Sequence, residues 1–300
     1  MLNIMGKRVI WLSIAGVITA ASLVLFLIWG LNLGIDFTGG SLLELKFLKE
    51  RPAVSVIQDA VKELKLEGDF LVQPVGEQGA IIRFQQTDEG THQKMISELQ
   101  NKFGKDNVQE ERFESIGPSI GKELKTKAIY AIILALIAII AYIAWAFRKV
   151  SWPVASWKYG VIAIIALLHD ILLPIGVFAV LGKYWGIEIG LPFVAALLTI
   201  LGYSVNDTIV VFDRVRENLG RLSKIEFADL VNRSVNETMA RSINTTLTTL
   251  LALIAVAFLG GESVRYFAIA LIIGIASGAY SSIFIASPLL IVWQEWGKKS

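Results

Sequence analysis

Leu191–Phe212 reads LPFVAALLTILGYSVNDTIVVF, an apolar run of 22 residues with one carboxylate, Asp207, in its second half. About 20 such residues cross the hydrocarbon core of a bilayer as an α-helix. A carboxylate at that depth costs roughly 2.5–3.5 kcal/mol on insertion scales when ionised and unpaired. Asp207 is therefore expected to be protonated, paired or beside a wet cavity. Each condition points to ion or proton movement more readily than to anchoring.

Five more runs of spanning length surround it: Val9–Leu31, Ala128–Phe147, Tyr159–Leu181, Ile243–Leu259 and Phe267–Trp293. Six spans put both termini on one side. The loops at Arg148–Lys158 and Asp213–Arg241, with the two ends, hold thirteen Lys and Arg, against two, Lys183 and Arg265, in the opposite short loops. The excess of basic residues marks the cytoplasmic side, so both termini are expected there. Lys7 and Arg8 before the first run resemble the start of a signal peptide. The run is too long for a typical signal core and lacks a small-residue cleavage site, so a retained signal-anchor is expected. Cysteine is absent, which excludes disulfides, zinc–thiolate sites and thiol nucleophiles. A net charge of +2 gives no argument for nucleic acid, and nothing calls for a cofactor or metal.

Between the first two spans the rhythm changes. Ser41–Phe47 reads as a strand, Pro52–Leu66 as a helix, Asp69–Val75 and Ala80–Gln85 as a hairpin through Gly76–Gly79, Asp88–Phe103 as a helix stopped by Gly104, and Val108–Ile116 as a strand. The expected fold class is thus a polytopic α-helical membrane protein with six transmembrane helices and one extracytoplasmic α+β domain, ferredoxin-like in its βαββαβ order. The expected domains are a cytoplasmic N-terminus with the first span at 1–31, the outer domain at 32–122, the five-helix remainder at 123–293 and a cytoplasmic tail at 294–300. His92 falls on the polar side of its helix and reads as a solvated surface residue.

Thr199, Tyr203, Asn206 and Asp207 share a face of the fourth span. Arg241, Thr245, Thr248 and Thr249 share one on the fifth, with Asn244 beside it. Lipid would leave two such stripes unsatisfied, so they should meet each other or a partner. An Asp207–Arg241 contact, direct or through water, is the expected pairing, with Asn206 and the threonines carrying hydrogen bonds along a proton path. The plainer alternatives are that Arg241 snorkels to headgroups and that the Thr and Asn side chains only join helices. His169 and Asp170 form a second polar pair in the third span. Neighbours on a helix point apart, so the two should not share a partner, and Asp170 stands as a secondary candidate. Gly274 and Gly278, with Ser277, Ser281 and Ser282 adjacent, read as a close-packing surface. Asp170 and Asp207 lack the sequence context of an intramembrane aspartyl protease, so catalysis is not expected.

Three stretches carry a family resemblance. Gly202–Asn218, GYSVNDTIVVFDRVREN, resembles the fourth-span signature of the SecF family of protein-export membrane subunits. Gly34–Gly40, GIDFTGG, resembles its second signature, and Arg241–Thr246, RSINTT, its third. The resemblance implies a six-span subunit of a SecD–SecF complex within the RND (resistance, nodulation, division) superfamily, in the cytoplasmic (inner) membrane of a bacterium. It implies coupling of the proton-motive force to late steps of preprotein export, with Asp207 in proton conduction and Arg241 and Thr245 beside it. Implied partners are a SecD-like subunit, the SecYEG channel, YajC and the translocating preprotein. Gly34, Asp36, Gly39 and Gly40 are expected to form a turn outside the bilayer, and Asp213 a turn, cap or headgroup contact. A structural assembly subunit with no proton path of its own is the alternative.

Overall fold

The structure is a computed structural model that describes residues 1–64, 68–147, 154–221 and 225–299. The chain divides into two compact units, Leu33–Ala128 and the remainder, Met1–Asn32 with Ile129–Ser300.

The smaller unit opens with a four-residue helix, α2 (Ile35–Thr38), after α1 of the larger unit. It continues as β1 (Gly40–Phe47), α3 (Val54–Glu63), β2 (Leu71–Val75), β3 (Gly79–Phe84), α4 (Glu89–Phe103) and β4 (Val108–Ile116). The sheet order is β2-β3-β1-β4, antiparallel throughout, as a split βαβ pair requires. Leu43, Leu45 and Phe47 alternate along β1 and are fully buried, because one face of the sheet carries the core and side chains repeat every second residue. Ile57 and Val61 of α3 and Met95 and Leu99 of α4 close over that face. Pro74 sits in β2, an edge strand, where its missing N–H costs no ladder bond on the outer side. Asp88 caps α4 by accepting from the Thr91 N–H at 2.8 Å, and that bond holds its carboxyl below the ordinary 3.8.

His92 departs from expectation. It is 3% exposed, and its ring stacks on Phe113 of β4 at 3.8 Å and 4°. Nδ1 lies 3.1 Å from Glu89 Oε1, and Nε2 is 3.1 Å from Glu110 Oε1 but not aligned for a hydrogen bond. The helical spacing of α4 placed this residue beside the apolar face, and an aromatic side chain from the strand below covers it.

The larger unit holds α1 (Arg8–Trp29), the end of α5 (Pro118–Ala146), α6 (Ser156–Trp185), α7 (Leu191–Arg221), α8 (Phe227–Leu259) and α9 (Glu262–Ser281). A π-helical turn, Ser282–Ala286, then runs into α10 (Ser287–Lys299). Six stretches among the described residues are long and apolar enough to cross a membrane: Met5–Trp29, Pro118–Ala146, Trp157–Trp185, Leu191–Arg221, Phe227–Leu259 and Val264–Trp296. The helices outrun the apolar runs. The loop expected at 213–241 is mostly helix, with 222–224 outside the described residues. The tail expected at 294–300 is helical to Lys299, and Ser300 lies outside them too. The expected loop at 148–158 is helical from Ser156, with 148–153 outside the described residues, as are residues 65 and 66 of the helix expected to end at Leu66.

Small residues set the helix spacing. A Cβ on Gly176 of α6 would stand 2.6 Å from Ser22 Cα of α1. One on Gly278 of α9 would stand 3.2 Å from Ser204 Cα of α7, and Gly274 lies against Ile200 in the same way. The close packing expected of Gly274 and Gly278 is therefore present. Ahead of α1, the backbone N–H groups of Ile4 and Met5 donate to Asn232 Oδ1 of α8 at 2.9 and 3.1 Å.

Candidate functional site

In the smaller unit, Gly34 caps α2 and Thr38 Oγ1 donates to Gly34 O at 3.0 Å. Gly39 has φ +76°, and a Cβ there would meet Pro118 Cα at 2.7 Å. Two independent constraints, the left-handed backbone and the close approach, thus fall on one glycine. The GIDFTGG stretch is a tight turn feeding β1, with Asp36 in its first residues.

Three contacts set how α7 and α8 lie together. Tyr203 Oη and Thr249 Oγ1 are 3.2 Å apart, Arg214 Nε donates to Glu237 Oε2 at 2.6 Å, and Asn218 Nδ2 donates to Ser234 Oγ at 2.9 Å. The pairs descend in antiparallel order, which brings Asp207 level with Thr245 and Thr246 and Arg241 about one turn nearer the Glu237 end. Glu237 is the centre of an ion-pair group there, accepting also from Asn218 at 3.0 Å and Arg233 at 2.9 Å.

Asp207 is 5% exposed, and its Oδ2 has no hydrogen-bond partner among the described residues. Among the described residues no ion pair joins it to Arg241, contrary to expectation. Arg241 is exposed, as are Asn206, Asn244, Thr245 and Thr248. Thr245 Oγ1 donates to Arg241 O on its own helix, and Thr248 Oγ1 to Asn244 O at 3.0 Å. The reason is rotational. Successive helical residues turn by about 100°, so the stripe through Arg241 and Thr245 faces away while Ser242 and Thr246 turn inward. Both of these are buried, and the hydroxyl oxygens of Ser242 and Thr246, with that of Thr208 on α7, have no hydrogen-bond partner among the described residues. Sequence reasoning named the outer stripe and missed the inner one. The RSINTT stretch holds both, offset by a single residue.

Asp170 of α6 has the opposite surroundings. It is 0% exposed and accepts four hydrogen bonds. Ser204 Oγ of α7 and Ser281 Oγ of α9 donate to Oδ2 at 2.5 and 2.6 Å, while Ser277 Oγ and His169 Nδ1 approach Oδ1 at 2.7 and 3.0 Å. Ser277 Oγ also lies 3.2 Å from His169 Nδ1, so the two neighbours do share a partner, and the expectation that they point apart fails. Their side chains bend toward the same α9 serine. The serines beside Gly274 and Gly278 are thus ligands of a carboxylate as well as small packing residues. Their i, i+4 spacing was the available signal. Asp213 is exposed and pairs with Arg216 one turn on.

A multi-span membrane protein with one small α+β unit after its first span, a glycine turn leading into it and a buried carboxylate in its fourth span is a narrow class. The model of the family described as Protein export membrane protein SecD/SecF, C-terminal, matches residues 95–296, and that of the SecD/SecF GG motif matches 24–47. The chain belongs to the SecD/SecF family of protein-export membrane proteins. It is 42% identical over 309 residues to the protein translocase subunit SecF of Thermobaculum terrenum, covering 98% of this chain and 95% of that one. With the SecF subunit of Anaerolinea thermophila it shares 41% over 300 residues, covering 99% and 96%. The solved structure of SecDF, a translocon-associated membrane protein from Thermus thermophilus, superposes with a TM-score of 0.84 at 33% identity. That match covers 98% of this chain and 39% of the SecDF chain, so the present chain corresponds to a minor part of the larger protein.

Proposed function

We propose that the chain is the SecF-type subunit of a bacterial Sec protein translocase and that Asp207 carries the proton through which the proton-motive force assists late preprotein translocation. The termini are cytoplasmic and the Leu33–Ala128 unit lies outside, as the basic loops argue. The observation that carries the reading is the buried Asp207 Oδ2 without a partner, inside a spanning helix, level with the equally unpartnered hydroxyl of Thr246. A carboxylate held so is available to take and release a proton, because no fixed donor commits it to one state.

The second support is the outward stripe. Asn206 and Arg241 are polar and exposed within spanning helices, where lipid would leave them unsatisfied, and Thr245 and Thr248 extend the same exposed polar stripe. A SecD-like subunit covering that stripe completes the site and brings the permanently charged Arg241 into a shared polar interface. SecYEG, YajC and the emerging preprotein are the further partners of this reading.

The test uses vesicles containing the assembled translocase. Asp207→Asn keeps shape and removes titration, so complex formation is retained and the stimulation of translocation by a proton gradient is lost. Gradient-stimulated translocation at the parent rate in that variant would sink the proposal. Loss of complex abundance alone would favour a structural assembly subunit.

A further inference from the structure

We infer that Asp170 is a positioning residue for Asp207, acting through Ser204 and so deepening the reading of Asp207 as a proton carrier, on which its functional part rests. Four hydrogen-bonding contacts, from three helices, converge on the two carboxyl oxygens of Asp170. The bond from Ser204 at 2.5 Å fixes the rotation of α7 at that residue. Gly278 fixes its approach to α9, since any Cβ there would stand 2.9 Å from Ser204 Cβ.

Asp207 follows Ser204 by three residues, with Val205 and Asn206 between and neither Pro nor Gly to break the helix. The spacing amounts to just under one turn and about 4.5 Å of rise. Among the described residues nothing hydrogen-bonds Asp207 Oδ2 to hold it in place. Its height and direction therefore follow from what holds α7 one turn away, where the buried Ser204–Asp170 tether stands beside the part-buried Tyr203–Thr249 contact. The site needs such an anchor outside itself, because a group that must gain and lose a proton cannot also be the group that locks the helix.

The absence of cysteine allows nitroxide labels to be placed at will in the full chain assembled with its SecD-type partner. Labels at Arg216→Cys on α7 and Leu259→Cys on α8, both exposed positions near opposite ends of the pair, report sliding of one helix along the other. The parent is expected to give one narrow distance. Ser204→Ala is expected to broaden it or shift it by about 1–2 Å, the scale of helix shifts in switching proteins. Asp170→Asn should act in the same direction, and Ser204→Thr, which keeps the hydroxyl, should restore the parent distribution. Gradient-stimulated translocation should fall by about threefold or more in Ser204→Ala and recover in Ser204→Thr, as displacement of a reacting group implies. A Ser204→Ala distribution that superposes on the parent overturns the inference, and so does a shift that Ser204→Thr fails to reverse. Asp207→Asn serves as the separate control: if gradient stimulation survives in it, the proton reading fails while the distance data still decide whether Asp170 positions α7.

Discussion

Asp170 and Asp207 lie in neighbouring spanning helices and are both buried, yet their surroundings are opposite. Asp170 has every acceptor site filled from α6, α7 and α9, whereas Asp207 Oδ2 has no partner and the nearby hydroxyls of Ser242 and Thr246 are unused. A buried carboxylate that is fully bonded specifies one arrangement of the helices around it. One that is left open keeps two protonation states within reach. The difference separates what holds the bundle from what works within it.

The largest expected effect tests the first half of the contrast. Asp170→Ala removes four hydrogen bonds, and a buried polar group left unsatisfied costs about 1–3 kcal/mol without the costs being additive, so a loss on the order of 4 kcal/mol is expected in thermal unfolding of the detergent-solubilised protein. The smaller change Gly278→Ala should cost about 1–3 kcal/mol by overpacking against Ser204, read from the same melts. Asp207→Asn should change stability by less than about 1 kcal/mol, since among the described residues no hydrogen bond is made to its Oδ2. A melting point lowered as far as by Asp170→Ala would erase the contrast.

A third carboxylate, outside the spanning helices, sharpens it at the smallest scale. Partial burial pushes the Glu44 carboxyl of β1 above its ordinary 4.5, with Glu111 and Glu114 pushing the same way and Arg112 opposing them. An acid whose value is raised on folding binds its proton more tightly when folded, so stability falls as pH rises from about 4.5 through the raised value. Glu44→Gln should therefore stabilise the protein above that window by a few tenths to about 1 kcal/mol and do nothing below it. Chemical unfolding at about pH 4 and about pH 7 would show it. An equal gain at both would mean that shape rather than charge is responsible.

The spans and the strand–helix order of the smaller unit were legible because each rests on a period that burial imposes directly. Leu43, Leu45 and Phe47 alternate because a sheet has two faces, and Asp207 stands out because a charge in an apolar run is costly. The inner stripe of α8 was not legible in the same way. Ser242, Thr245, Thr246 and Thr249 differ little in chemistry, and which of them turns inward depends on how α7 and α9 pack against α8. Asp170 was visible only as a charge. Its ligands are serines whose hydroxyls serve equally well against their own backbone, as Thr248 does, so nothing local distinguishes a donor across helices from a small packing residue. His92 was misread because its burial comes from Phe113, on a strand sixteen or more residues on. Arg241 lies about one turn from the level of Asp207 and on an exposed face of its helix, away from the inner stripe.

The π-helical turn at Ser282–Ala286 gives the last span a strict count. Such a turn holds one residue more than an α-helical path of the same course, and Ser287 Oγ reaches back five residues to Ser282 O at 2.8 Å. Deleting one residue there would let the helix close as an ordinary α-helix. Everything after it would then rotate by about 100° and slide by about 1.5 Å. Leu290 and Ile291, both fully buried, would swing out of the interior, while Ser277 and Ser281 upstream kept their hold on Asp170. Substitutions are thus better tolerated along this stretch than changes in its length, and among relatives the length of the segment is expected to vary less than the residues that fill it.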